Sequence, residues 1–208
     1  MLNGVIDISH YQGPNIDFAR VKDAGVVGVI HKATAGTNLQ DNMYPLNRQK
    51  ALAAGLLWGA YHWGVGDADP ADQVQYFLDY AKPDSQTLLA LDYEPNVTRT
   101  HRLGPDMSPD QATAFVTKIN DTQGTFPLLY TGMAMAGRIP SLPQCPLWWA
   151  RYANAPIGLP PAWPTWTLWQ YTDGAVGPVP HSVDGLGNCD RDQFNGDLAG
   201  LKQLWKVQ

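Results

Sequence analysis

Five largely apolar runs, at residues 5–8, 26–31, 56–63, 87–93 and 126–131, constrain this chain more than any other feature. Each is short and bounded by turn residues, the pattern of a strand buried on both faces. The segments between them carry helical punctuation. Asp17 can cap a helix whose Phe18, Val21 and Ala24 share a face and which Gly25 stops. Pro45 fits the first turn of a helix over 42–54. A third helix is expected over 70–80, and Ser108-Pro109-Asp110-Gln111 is a capping box that opens a fourth, to about residue 121. Strands buried on both faces and alternating with helices imply a parallel sheet with helices on it.

Beyond residue 140 the helical period vanishes, and nine of the 17 prolines fall between Pro140 and Pro180. Strand-like pieces persist at 147–152, 167–171 and 188–192, and a short helix over 197–205 follows. The sum is five βα units followed by three strands. The fold class expected is α/β, an irregular TIM-type barrel formed by residues 1–208 as one catalytic domain. An open doubly wound sheet is the alternative topology.

Charge and cysteine content narrow the function classes. Nineteen acidic against 14 basic residues leave a formal charge of −5, with no basic run, so phosphate neutralisation and nucleic-acid binding are not expected. No stretch reaches the roughly 20 apolar residues of a membrane span, and membrane insertion is not expected. Residues 1–7 lack the basic and apolar regions of a secretory signal. Cys145 and Cys189 permit one disulfide, and their surroundings do not suggest zinc. His10, His31 and His62 have no helical ligand spacing and read as hydrogen-bonding residues. No cofactor is expected, because nucleotide and serine-hydrolase motifs are absent.

In a parallel barrel the working end lies at the C-terminal ends of the strands. Polar residues there are Asp7, Lys32, His62, Asp92 with Glu94, Tyr130, Arg151, Gln170 and Asp190. Asp92 and Glu94 are two residues apart and should point to one face, about 6.5–7 Å apart at Cα. Paired carboxylates raise the pKa of one partner and equip a site for glycoside hydrolysis. Asp7 and Asp190, on the first and last strands, become neighbours if the barrel closes. Asp192 and Asp197 read as cap or turn residues. Aromatic residues make up 11% of the chain, with eight Trp. Tyr11, Tyr61, Trp63, Tyr130, Trp149 and others near the strand ends suit stacking on sugar rings.

These segments also carry a resemblance. Gly4-Val-Ile-Asp7-Ile-Ser-His-Tyr11-Gln-Gly13, Lys32-Ala-Thr34, Gly59-Ala-Tyr61-His62-Trp63, Leu91-Asp92-Tyr-Glu94, Pro127-Leu-Leu-Tyr130, Leu147-Trp-Trp-Ala-Arg-Tyr152, Trp169-Gln-Tyr171 and Cys189-Asp190-Arg-Asp-Gln-Phe194 together resemble glycoside hydrolase family 25. The resemblance implies lysozyme-type hydrolysis of the β-1,4 bond between N-acetylmuramic acid and N-acetylglucosamine in peptidoglycan, with retention. It implies Glu94 as general acid, with Asp92, Asp7 and Asp190 as companion carboxylates. Lys32, Tyr61, Trp63, Tyr130, Tyr11, Gln170 and Trp149 are expected to contact substrate. A usual Glu of the family is replaced by Ala35. The expected partner is the peptidoglycan glycan strand, met by a monomer without a separate wall-binding module. Such an enzyme acts on the cell wall, reached by secretion or by release through a phage holin. A chitinase-like glycosidase and a non-catalytic glycan-binding relative are the alternatives.

Overall fold

The computed structural model describes residues 1–96 and 104–207. Eight strands close into a barrel. In chain order β1 is Leu2–Ile8, β2 Gly28–Ala35, β3 Leu39–Gln40, β4 Leu57–Trp63, β5 Leu88–Asp92 and β6 Leu128–Gly132. β7 is Leu147–Ala150, β8 Leu168–Thr172, β9 Ser182–Val183, β10 Gly187–Asn188 and β11 Asp190–Phe194. The ring runs β1-β11-β8-β7-β6-β5-β4-β2 and closes through the parallel pairing of β2 with β1. β3 is a hairpin appendage on β2, and β9 with β10 forms a separate small hairpin.

The helices start where the sequence marks them. α1, Phe18–Asp23, is capped by Asp17, whose side chain accepts from the Arg20 N–H. α2, Tyr44–Ala53, begins beside Asp41, whose Oδ1 accepts from the Met43 N–H. Asp69 and Pro70 open α3, Pro70–Ala81. The capping box of Ser108 and Gln111 opens α4, Pro109–Gln123, and Gly124 ends it at φ 68°. α5, Leu198–Leu204, is capped by Asp197, as expected of that residue. The connection after β6 is a single 3-10 turn, Met133–Met135, so the fifth βα unit is the shortest.

One strand departs from the parallel expectation. β11 runs antiparallel to both β8 and β1. The reason is its connection: no long helical crossover lies between β8 and β11, and only such a crossover returns a chain in the same direction. Asp190 therefore reaches the working end from the start of its strand rather than from its end.

Strand alternation separates two apolar layers. Ile6, Val29, Trp58, Leu89, Leu129, Leu147, Trp149 and Trp169 face outward into the core under the helices. Val5, Ile30, Ala90, Leu128, Trp148 and Leu168 fill the barrel, and Leu201 and Trp205 join them from α5. Trp205 is 1% exposed, its ring lies 3.2 Å from where a side chain on Gly28 would start, and its Nε1–H donates to the Trp58 carbonyl at 2.9 Å. Gly28 leaves the space into which this indole fits. Both cysteines are free and buried.

Candidate active site

Closure brings the polar ends of the inward-facing positions into one cleft. It is lined by Asp7, Ser9, Tyr11, Lys32, Tyr61, Trp63, Asp92, Glu94, Tyr130, Trp148, Tyr152, Gln170 and Asp190. Asp7 and Asp190 are partners in the β1–β11 register, as ring closure requires. Asp92 ends β5, and Glu94 follows two residues later on the same side.

Hydrogen bonds fix the side chains around Asp7. Gln170 Nε2–H donates to Asp7 Oδ2 at 2.8 Å. Its Oε1 accepts from the hydroxyls of Tyr130 and Tyr152, both at 2.9 Å. With their protons committed to Gln170, the two tyrosines present oxygen lone pairs to the cleft. Lys32 Nζ stands 4.3 Å from the centroid of the Trp63 ring, a cation–π contact.

The site concentrates carboxylates and has little to neutralise them. Burial, then the neighbouring Glu94, pushes Asp92 well above the ordinary carboxylate range. Glu94 rises to about 7, chiefly through burial, against the lowering influence of Lys32. Asp7 is raised by burial and by Asp192, and Asp190 to about 9 by burial and by Asp7. Lys32, the cation among the described residues of the cleft, is itself lowered by burial. Such a cluster retains protons near neutrality, as a site that must deliver one requires.

The stability consequence follows from linkage. Raised carboxylate pKa values mean that the folded state binds more protons than the unfolded chain, so stability falls as pH rises. The contribution is complete below the unfolded value of about 4 and is lost through the folded values of about 8 for Asp192 and about 9 for Asp190. Thermal melts should give a Tm that declines from mildly acidic pH to about pH 9. A Tm that climbs over that interval would contradict this assignment.

The expected residues divide clearly. Asp7, Lys32, Tyr11, Tyr61, Trp63, Asp92, Glu94, Tyr130, Gln170 and Asp190 all line the cleft. Trp149 does not: it points outward, buried, with its Nε1–H on the Ile157 carbonyl at 3.2 Å. Trp148 takes its place inside, because it pairs in register with inward-facing Tyr130. Asp192 is no cap or turn residue. It lies within β11, fully buried on the barrel interior, because it is two residues beyond inward-facing Asp190. Ser9 also lines the cleft, a residue the sequence reading does not single out; it caps the turn that carries Tyr11.

The histidines keep hydrogen-bonding roles. His31 Nδ1–H donates to the Lys32 carbonyl at 2.6 Å, and burial lowers its pKa to about 4. His62 sits outside the barrel between Thr34 and Gln73, likewise lowered by burial to about 4. Arg151 does not line the cleft. Ala35 is buried opposite Trp63, so this position contributes no carboxylate.

Comparison with known proteins identifies the family. The sequence profile described as glycosyl hydrolases family 25 matches residues 6–178. The chain belongs to glycosyl hydrolase family 25. It is 31% identical to lysozyme M1 of Streptomyces globisporus, covering 96% of this chain and 70% of that protein. It is 28% identical to the N,O-diacetylmuramidase of Chalaropsis sp, covering 95% and 96%. Among solved structures, the muramidase of Trichobolus zukalii superposes with a TM-score of 0.81 at 30% identity over 99% of both chains. The lysozyme of Streptomyces coelicolor gives 0.80 at 32% over 98% of this chain and 96% of that one. Family 25 membership makes this chain a glycoside hydrolase.

Proposed function

We propose that this family 25 enzyme is a muramidase, cleaving the β-1,4 bond between N-acetylmuramic acid and N-acetylglucosamine in peptidoglycan. The observation that carries the reading is the Asp92–Glu94 pair, two carboxyls on one side of a cleft that keeps protons near neutrality. Glu94 is partly exposed and Asp92 buried, which suits different roles. Glu94 donates its proton to the glycosidic oxygen as the bond breaks. The buried Oδ1 of Asp92 has no protein partner, leaving it to engage the 2-acetamido group of the sugar at the reacting carbon. An acetamido group held there can attack that carbon from the side opposite the leaving oxygen, and attack by water from the first side then gives retention. Glu94, now a carboxylate, removes the proton of that water.

Muramidase names among the similar proteins support the substrate class. The site works on the cell wall, and the enzyme acts as a monomer, since one chain supplies all the described residues of the cleft. No helix among the described residues is long and apolar enough to cross a membrane. The deciding experiment is digestion of purified sacculi followed by identification of the new reducing sugar. N-acetylmuramic acid at the new end supports the reading, whereas release of N-acetylglucosamine ends, or faster turnover of chitin, would replace it with a chitinase-like one.

Tyr11 marks one end of the cleft. It is 68% exposed, and its ring lies tilted against His10 with centroids 4.2 Å apart, His10 itself being bonded to Asp41 at 2.9 Å. Tyr11→Ala should leave kcat and folding nearly unchanged and raise KM about fivefold, the equivalent of about 1 kcal/mol of lost contact. Steady-state kinetics on soluble glycan fragments measures this, and an unchanged KM would remove Tyr11 from the substrate surface.

A further inference from the structure

Beneath the cleft the barrel interior is hydrocarbon, built by Val5, Ile30, Ala90, Leu128, Trp148 and Leu168. Asp192 breaks that layer. It stands opposite Val5 in the β1–β11 register and is fully buried. Its Oδ1 accepts from Trp148 Nε1–H at 2.6 Å, while its Oδ2 is buried without a fixed donor. The group it meets above is the carboxyl of Asp7, two residues along β1 from Val5. Two ionised carboxylates in contact at this depth would repel strongly with no cation between them. One proton between the two removes the repulsion and makes a hydrogen bond. Gln170 already grips the Asp7 carboxyl from the side, and Tyr130 and Tyr152 hold Gln170.

We infer that Asp192 is a positioning residue for the reaction: through one proton held between it and Asp7, it fixes the carboxyl that Asp7 presents to the sugar. Asp192 touches no substrate, because the cleft stops at Asp7 and Trp148 above it. Its carboxyl is costly to bury, and a hydrocarbon side chain would fill the layer more simply. The hydrogen bond to a cleft residue is what that cost supports. Burial, with Asp190 nearby, raises Asp192 to about 8 against the lowering hydrogen bonds to Trp148 and Asp7 and the charge of Arg191. The inference rests on the muramidase reading only for the reaction that is measured.

The test compares Asp192→Asn with Asp192→Leu. An asparagine amide still accepts from Trp148 and donates to Asp7, so position is kept without a shared proton. Asp192→Leu should lower kcat about 10²-fold at little-changed KM, the effect of a misplaced cleft group. Asp192→Asn should recover most of that loss, with a Tm at or above that of the unaltered protein. Infrared spectra near neutral pH should show the carbonyl stretch of one protonated carboxyl in the unaltered protein that is missing in Asp192→Asn. Wild-type kcat in Asp192→Leu, equal impairment of both variants, or identical carboxyl bands in the unaltered protein and Asp192→Asn would each overturn the inference. If Asp192→Leu fails to fold, the infrared comparison decides. If the unaltered protein releases no muramic-acid ends from sacculi, the muramidase reading fails, and the infrared bands still decide whether Asp7 and Asp192 share a proton.

Discussion

Glu94→Gln should give a folded protein that releases reducing ends from peptidoglycan about 10²–10⁴-fold more slowly, the usual worth of a general acid. The amide has the size of the carboxyl but no proton to give to the leaving oxygen. Glu94 bonds to Asp92, which the amide can still do, and the bonds that hold Gln170, the two tyrosines and Trp148 do not involve Glu94. The loss should therefore appear in kcat, with KM close to its original value. Burial holds Glu94 at about 7 in the free enzyme, so kcat/KM of the unaltered protein should fall as pH rises through neutrality and the acid form is lost. The residual activity of Glu94→Gln should lack that alkaline limb. Undiminished lysis by the variant would transfer the acid role elsewhere.

The second large effect is on stability rather than rate. Trp205→Ala should destabilise the fold by roughly 3–5 kcal/mol, the range for removing a fully buried aromatic side chain. In a chain of this length that lowers Tm by about 6–20 °C. The indole fills the end of the barrel remote from the cleft, against Gly28, and its N–H ties α5 to the start of β4 through the Trp58 carbonyl. A glycine across from it cannot expand into the void, so little of the cavity can collapse. Below the melting range kcat should be unchanged, because Trp205 and the carboxylates lie at opposite ends of the barrel. Calorimetry paired with activity at low temperature checks both halves, and a Tm within about 2 °C of the original would show that α5 is not the plug.

Much of the fold was legible because its signals are local. A buried strand needs only a short apolar run, and a helix start needs only a cap and the correct third residue, as at Ser108 and Gln111. The Asp92–Glu94 pair was legible for the same reason, since residues two apart on an extended chain share a side whatever surrounds them. Trp149 shows the limit of such reasoning. Alternation says that Trp148 and Trp149 face opposite ways, but both faces of this sheet are apolar, so composition cannot say which is inside. Only pairing of Trp148 with Tyr130 decides it. Asp192 shows the same limit, since a charged residue near a strand end ordinarily marks a turn. Here β11 continues through it, and the second position of a two-residue repeat falls inside the barrel.

The apolar runs with which the sequence announces itself thus determined the strands, their order and the residue types at their ends, because backbone alternation and capping act over a few residues. Tertiary structure decided the rest. Ring closure set Asp7 against Asp190, the lack of a long helical crossover turned β11 antiparallel, and register chose which tryptophan and which aspartate face inward. The physical reason is range: a strand fixes two faces by itself, and only its neighbours around the barrel determine which face encloses the site.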